Sequence, residues 1–325
     1  MCNNVTVIIC CFNAEAYLKE TLLALTKQEF KEFDILIIDD SSTDNTLRLA
    51  RSFIAANNIK ADIITFDINK GIANARKYAL EYINTTYYIF LDSDDIPYPQ
   101  LVGRLYHKIE NDSDLMAVGC YLEYIDKKGS KIGGGLFIGA KTKKAFFEKA
   151  KKRKLIFMQP TAIVRRDLAL RVGGFITVGY FDGKPRYQDF CEDLDLWTRM
   201  SDLYTEGKAI IVIPEVLCQY RKMENTASAN TLGMLLKIQF VKENLIKRRT
   251  KNKELSFIEF YNSLTKSEIN KLEKKAKAVT CLKKGVLQLK NKRVGKGLLN
   301  IMHSIFLNPV YFFEKLKFNY VRRII

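Results

Sequence analysis

The chain has 325 residues and 47% of them are hydrophobic, so it can bury a sizeable core and does not have the composition of a disordered protein. Its formal net charge is +17, and residues 230–325 carry +16 of this, with 22 Lys and Arg against 6 Asp and Glu. His107 and His303 are the only histidines, which argues against a Ser-His-Asp site or a histidine-rich metal site.

The first half of the chain alternates strand and helix patterns. Strands are predicted at Val5–Cys10, Phe33–Asp40, Ala61–Asp67 and 87–92, and helices at Ala14–Gln28, Ser42–Asn58 and Gly71–Ile83. This alternation predicts right-handed crossovers and a mainly parallel sheet. Continuous apolar strands fit a sheet that is covered on both faces.

The second half is less regular. We expect a strand at Leu115–Asp126, a mobile glycine-rich connection at 131–140, a strand, a short helix and a turn within Met158–Phe175, a loop at 176–190, a helix at Cys191–Leu203 and a strand pair at 209–221. From residue 230 onward the pattern is helical, basic and amphipathic.

The ends and the cysteines give expectations about location. The first residues lack a basic region and a cleavage site, no 18 apolar residues run unbroken, and the seven cysteines show no CxxC spacing. We therefore expect a mature cytoplasmic N-terminus, no confident transmembrane helix, and free thiols in a reducing compartment.

Polar side chains follow four successive strands where each strand ends. They are Asn13 and Glu15, then Asp39 and Asp40, then Asn69, and then Asp92 and Asp94. Ligands of such sheets bind beyond the carboxyl ends of the strands. Asp92, Asp94 and Asp95 would repel one another without a positive partner. One interpretation is a solvated turn that caps the next helix. The other is a site for a divalent cation, and it is favoured because all four strand ends carry polar side chains at the same edge of the sheet.

Seven motifs along the chain resemble those of the family 2 glycosyltransferases, the inverting group with the GT-A fold. In chain order they are VIICCFN, IIDDSSTDNT, NKGIANAR, LDSDD, VGGF, EDLDLWTR and YRKMENTAS, and the resemblance runs from about Val5 to Ser228. It implies an α/β fold with a Rossmann-like, mainly parallel sheet flanked by helices, followed by a basic helical C-terminal extension.

The resemblance implies a donor site for a nucleotide-diphosphate sugar. The matching positions are Phe12, Asn13, Glu15, Asp39, Asp40, Asn69, Gly71, Arg76, Asp92 and Ser93. Either Asp39 or Asp40 would accept a hydrogen bond from the base, which favours uracil or thymine. Asp92 and Asp94 form the DxD motif, in which Asp92 lies near the ribose and Asp94 binds the Mn²⁺ or Mg²⁺ that bridges the diphosphate.

The motif around residue 193 would supply the base that activates the acceptor hydroxyl. Asp193 is the expected base with Glu192 beside it, although the residue pattern alone fits a helix cap equally well. Trp197 and Arg221 are expected on the acceptor side or in a loop, although Trp197 also fits the core face of a helix together with Leu194 and Leu196. Met223 occupies a position where many relatives carry a histidine that can join the metal site, and a thioether is a poor ligand for these metals.

These interpretations divide the chain into two parts. Residues 1–229 form the predicted catalytic domain, with a nucleotide-binding part at about 1–114 and an acceptor-binding part at about 115–229, and residues 230–325 form the extension. The expected partners are a nucleotide-sugar donor and a saccharide acceptor of bacterial surface polysaccharide or lipid-linked oligosaccharide synthesis.

The basic extension leaves three readings open. Its helices can pack with a solvated basic face, dock on anionic membrane at the inner face of the cell membrane, or bind nucleic acid, which the absence of a binding module disfavours. The alternatives to a transferase are a catalytically degenerate sugar-nucleotide-binding scaffold and a nucleotidyltransferase. The second normally needs a glycine-rich basic loop that residues 10–20 lack.

Overall fold

The computed structural model describes residues 3–57, 59–223, 230–290 and 292–315. The strands are β1 (Val5–Cys11), β2 (Phe33–Asp39), β3 (Ala61–Thr65), β4 (Tyr87–Phe90), β5 (Ile96–Pro97), β6 (Leu115–Ile125), β7 (Lys131–Leu136), β8 (Ala162–Arg165) and β9 (Ala209–Arg221). The helices are α1 (Leu18–Thr26), α2 (Thr46–Asn57), α3 (Ile72–Tyr82), α4 (Leu101–Glu110), α5 (Lys143–Lys151), α6 (Arg166–Arg171), α7 (Glu192–Met200), α8 (Thr231–Arg249), α9 (Phe257–Ser263), α10 (Lys266–Lys290) and α11 (Val294–Leu307).

One sheet contains all of these strands, and its first half is parallel. The order is β3-β2-β1-β4-β8-β6-β9-β5, with β7 paired to β6. β3, β2, β1 and β4 pair in parallel, as the alternating pattern predicts. β8 then runs antiparallel to β4 and β6, whereas β6 and β9 are parallel. The fold is therefore α/β as predicted, with its parallel character confined to the donor-side strands and the β6–β9 pair.

Burial explains why the central strands read as continuous apolar runs. Every residue of β4 is buried, and in β1 only Cys10 is partly exposed. Helices cover both faces, so a side chain on either face of a central strand lies in the core. α1, α3 and α4 each contribute their apolar stripe to it.

Two predictions for the second half are wrong, and two helices were not predicted. The glycine-rich segment is strand β7, because its backbone pairs with β6 whatever its side chains are. The expected strand pair at 209–221 is one strand, β9. Pro214 suggested a break, but it lies where the register between β6 and β9 shifts, and an irregular register tolerates a missing N–H. α4 and α5 were missed.

The described residues form two compact units, which interleave along the chain. The first takes Met1–Val178, Cys191–Glu224 and Val241–Glu254, and the second takes Gly179–Phe190, Asn225–Phe240 and Leu255–Ile325. The predicted division at residue 229 into a catalytic domain and an extension stays a prediction about function.

The second unit is helical and has an aromatic core of its own. Tyr180, Tyr187 and Phe257 stack with interplanar angles of 25° and 27°. The buried Lys237 donates a hydrogen bond to the Tyr180 hydroxyl and lies over its ring. α10 and α11 pack against each other, where Gly285 and Gly297 allow close approach. Within the described residues, no helix is long and apolar enough to span a bilayer.

We predict that Gly139→Ala destabilises the protein by about 3 kcal/mol or more, because it adds overpacking to backbone strain. Gly139 has a φ of +121°, and an added Cβ would lie 2.1 Å from Cγ2 of Val212 in β9. Gly207→Ala is the control, since its φ is +79° but its Cβ would meet nothing within 4 Å. That variant should lose only about 1–2 kcal/mol of unfolding free energy in denaturant titrations. Equal losses would contradict the importance of the Val212 contact.

Candidate active site

The loop after β4 carries the DxD motif and is held from two sides. Leu91 N–H continues the pairing with β1 by donating to the Ile8 carbonyl at 2.9 Å. The Thr21 hydroxyl of α1 lies 3.0 Å from the Ser93 carbonyl and 2.8 Å from that of Asp95. The loop then enters β5, which pairs with the end of β9. The two acids of the motif thus leave a central strand on an anchored backbone.

Arg76 joins the DxD motif to the acidic start of α7. Its guanidinium donates to Asp92 Oδ1 at 2.9 Å and to Glu192 Oε1 at 2.6 Å, and its side chain is only 5% exposed. Burial lowers the pKa of Arg76, but the carboxylates of Glu192 and Asp92 outweigh this and raise it, so the guanidinium remains charged. Arg76 and Glu192, which are 116 positions apart in the chain, therefore meet in the interior.

Arg221, at the end of β9, supports the DxD loop from below. Its side chain is fully buried. Its Nε donates to the Asp94 carbonyl at 3.0 Å, its backbone N–H donates to Asp95 Oδ1 at 3.1 Å, and a terminal nitrogen pairs with Glu20 at 2.7 Å. Arg221 therefore lies in the interior and supports the loop, and its expected place on the acceptor side or in a loop stays a prediction.

Trp197 also lies in the interior, as the core-face alternative predicts, and a role toward the acceptor stays a prediction. It is 3% exposed and belongs to the hydrophobic core of the first unit. The apolar face of α7, which includes Leu196 and Met200, buries it there. Helix amphipathicity explains this placement.

The two acids after β2 have different surroundings. Asp40 accepts from the Asn69 side chain at 2.9 Å and from the backbone N–H groups of Lys70 and Gly71 at 2.7 and 2.8 Å. It therefore shapes the loop before α3. Asp39 Oδ2 accepts from Ser42 N–H at 3.3 Å, whereas its buried Oδ1 has no hydrogen-bond partner among the described residues.

The loop after β1 is tied to the loop after β2 and leaves one aromatic side chain exposed. Asn13 Oδ1 accepts from Thr43 N–H at 2.8 Å, and Glu15 Oε2 accepts from Asn45 N–H at 2.7 Å. Phe12 beside them is 50% exposed. These contacts order the loop and present an apolar ring at the rim.

Burial and mutual repulsion raise the pKa values of the acids. Burial, and then the charge of Asp92, raise the pKa of Asp94 to about 6. Burial raises the pKa of Glu192 to about 7 against the opposing effect of Arg76. The pKa of Asp193, whose Oδ1 accepts from Leu194 N–H at 2.8 Å, is raised chiefly by burial as well.

The acids of the DxD motif have the chemistry of a divalent-cation site. Carboxylate oxygens suit Mg²⁺ and Mn²⁺, and a cation would offset the charge that raises the pKa of Asp94. No cluster of three or more His, Cys, Asp or Glu side chains that could hold a metal occurs in the described part of the chain. Asp92 and Asp94 therefore fit a metal whose other ligands arrive with a substrate.

Sequence reasoning named the DxD motif, Arg76 and Glu192 but missed how they connect. It assigned Arg76 to the nucleotide and gave no role to Thr21 or Glu20. The one available signal was that α1 carries a polar threonine in its buried stripe.

A sheet in which β1–β4 run parallel, with acidic loops at their carboxyl ends, defines an α/β protein, and comparison with known proteins gives its family. The family model for glycosyl transferase family 2 matches residues 6–173, just over half of the chain. The chain belongs to this family.

Similar proteins include glycosyltransferases of bacteria. An uncharacterized glycosyltransferase of Haemophilus influenzae is 27% identical over 233 residues, which is 70% of this chain and 68% of that protein. The poly(ribitol-phosphate) beta-N-acetylglucosaminyltransferase TarS of Staphylococcus aureus is 34% identical over 92 residues, 28% of this chain and 16% of TarS.

Solved structures of glycosyltransferases share the fold. TarS 1-349 in complex with UDP-GlcNAc matches with a TM-score of 0.53 at 17% identity, covering 92% of this chain and 89% of that one. The mannosyltransferase PcManGT from Pyrobaculum calidifontis, in complex with GDP-Man and Mn²⁺, matches with a TM-score of 0.54 at 16% identity, covering 99% and 81%. At these identities the likeness shows the fold, which is GT-A as predicted.

We predict that Arg221→Met lowers the unfolding free energy by about 1–3 kcal/mol, because it removes the guanidinium hydrogen bonds to the Asp94 carbonyl and to Glu20. Arg104→Met is the matched control. It breaks the pair with Glu215, in which both side chains are exposed, and should change stability by at most about 1 kcal/mol. Chemical denaturation of both variants checks this, and similar losses would contradict the structural role of Arg221.

Proposed function

We propose that the protein is an inverting, metal-assisted glycosyltransferase. It moves a sugar from a nucleotide-diphosphate donor, with UDP- or dTDP-sugars favoured, to an acceptor hydroxyl. The observation that carries this proposal is the buried Arg76, which joins Asp92 of the DxD motif to Glu192 of the acidic helix start. Groups suited to the donor diphosphate and groups suited to the acceptor hydroxyl meet there.

Asp39 is our candidate for recognition of the base. Its buried Oδ1 lacks a hydrogen-bond partner among the described residues, while Asp40 accepts three hydrogen bonds from the loop at 69–71. The imide N–H of uracil or thymine would supply the missing donor. The exposed ring of Phe12 offers an apolar surface for the same base.

Asp92 and Asp94 would hold Mn²⁺ or Mg²⁺ together with the donor phosphates. The metal would offset the negative charge that develops on the leaving diphosphate. Arg76 and Thr21 would hold these two carboxylates in place, Arg76 through its ion pair with Asp92 and Thr21 through its contacts with the loop. With Met223 at the position of the usual histidine, we expect low metal affinity without nucleotide.

Asp193 is our candidate general base. Arg76 lies 2.6 Å from Glu192, so Glu192 is engaged in orienting the site. Asp193 would take the proton of the acceptor hydroxyl while the hydroxyl oxygen bonds to the anomeric carbon. The bond from that carbon to the diphosphate oxygen breaks at the same time. Attack from the face opposite the leaving group inverts the anomeric configuration. A positioned base contributes about 10²–10⁴-fold to such a step.

Bacterial surface polysaccharide or lipid-linked oligosaccharide synthesis is the proposed setting. The likeness to TarS, whose name describes transfer to poly(ribitol-phosphate), supports an acceptor of the cell surface. We propose that residues 176–190 select the acceptor and that the basic residues of 230–325 bring the enzyme to an anionic membrane.

We predict that one of UDP, dTDP and GDP raises the melting temperature with Mn²⁺ but not with EDTA. A ligand at about 100 times its Kd stabilises by about 2.7 kcal/mol. In Asp94→Asn the shift should be lost, because the metal loses a carboxylate. Asp62→Asn, at an exposed position in β3, is the control and should keep the shift. No shift with any nucleotide in the wild type would favour the scaffold alternative.

We predict that Asp193→Asn keeps the nucleotide- and Mn²⁺-dependent shift but loses donor turnover by about 10²-fold or more. Release of nucleoside diphosphate from the matching nucleotide sugar is the measurement. Glu192→Gln should instead weaken both, because Arg76 would lose a charged partner. Retained turnover in Asp193→Asn would remove this residue as the base.

A further inference from the structure

Helix α11 exposes a row of large apolar side chains. Val294, Leu298, Leu299, Met302 and Phe306 are each between 50% and 85% exposed. Val310 and Phe313, in the helical residues 309–315 that follow, are also more than 60% exposed. Single exposed apolar residues are ordinary on a protein surface, but a contiguous row of this size marks an interaction site.

The row occupies one face of α11. At 3.6 residues per turn, its five members from Val294 to Phe306 span about 140° of the helix circumference. The buried positions Gly297 and Ser304 lie on another side, where a Cβ on Gly297 would lie 2.8 Å from Leu289 of α10 and the Ser304 hydroxyl donates to the Ala278 carbonyl. The helix is therefore fixed to α10 by one side while its apolar face meets solvent.

Basic residues lie at the N-terminal end of this face and on the neighbouring helix α10. Lys292, Arg293 and Lys296 are exposed at the start of α11, and Lys283 and Lys284 are exposed on α10. Residues 297–313 contain no charged side chain, so the apolar face is uninterrupted and the basic groups lie at its border. An uncharged stretch of this length that does not span a bilayer suits a helix that lies in the membrane interface.

The charge also indicates whether a second copy of the chain or an anionic lipid bilayer would bind this face. A second copy would bring another segment of net charge +16 against the first, and like charges oppose such a contact. Anionic lipid complements both features, because its headgroups attract Lys and Arg while the acyl boundary takes up Leu, Met and Phe.

We propose that α11 and residues 309–315 dock on an anionic lipid bilayer. The helix lies parallel to the membrane with Leu298, Leu299, Met302 and Phe306 inserted, and Lys292, Arg293 and Lys296 contact the headgroups. This inference deepens the proposed membrane contact of residues 230–325 by naming the surface. It stands apart from the chemistry at Asp92, Asp94 and Asp193, because none of those residues takes part in it.

The experiment is cosedimentation of the full chain with vesicles of phosphatidylcholine alone or mixed with phosphatidylglycerol. We expect binding to the anionic vesicles only. Leu299→Ser/Met302→Ser/Phe306→Ser should reduce this partition at least about tenfold, since it removes three inserted side chains. Leu23→Ser/Ile132→Ser changes exposed apolar residues elsewhere and should bind as the wild type does.

A second pair of variants separates local charge from net charge. Lys292→Gln/Arg293→Gln/Lys296→Gln should weaken binding and reduce its salt dependence. Lys144→Gln/Lys151→Gln/Lys152→Gln removes the same charge from exposed positions of 144–152 and should have a smaller effect.

Three outcomes would overturn the proposal. They are unchanged partition of the apolar variant, equal binding to neutral vesicles, and a wild-type dimer on size-exclusion chromatography that the apolar variant lacks. Circular dichroism and melting temperature show whether that variant folds. The nucleotide-dependent melting shift, measured without vesicles, reports the proposed donor site separately, so failure of one test leaves the other informative.

Discussion

The site depends on keeping one guanidinium charged inside the protein. Arg76 is nearly buried, so it is stable there only while both carboxylates, Asp92 and Glu192, remain beside it. This requirement couples two loops that share no strand pairing. Burial raises the pKa values of Asp94 and Asp193, and the charge of Asp92 adds to the effect on both. A cation that arrives with a diphosphate would offset this charge.

The two halves of the sheet contribute differently to this arrangement. The parallel strands β1 to β4 bring their carboxyl ends to one rim, and ordinary turn hydrogen bonds, such as those of Asp40 with the loop at 69–71, shape the loops there. The half of the sheet with mixed strand directions holds the loop of the DxD motif in place and contributes no candidate metal ligand. Its strand β9 ends in Arg221, whose Nε donates to the Asp94 carbonyl and whose backbone N–H donates to the Asp95 carboxylate.

The sequence predicts the donor half well because the strand pattern, the helix pattern and the polar strand ends agree there. β7 was missed because its glycines carry no pattern, and only its pairing with β6 makes it a strand. β9 was divided because Pro214 usually ends a strand, and the register shift that accommodates it depends on its neighbour. Local patterns likewise could not predict that Arg76 meets Glu192, since that contact exists only once α3 and α7 are packed.

The positive charge of the chain is concentrated in residues 230–325. Residues 1–229 carry a net charge of only +1, so the acids of the site face little long-range attraction from their own domain. Charge in 230–325 is screened within a Debye length of about 8 Å at physiological salt, and it acts only on what lies close to it. Basic residues beside an apolar helix face would therefore act on a membrane that lies within this distance of them. A lipid-linked acceptor would meet the enzyme at a raised effective concentration there, because both partners are confined to one surface.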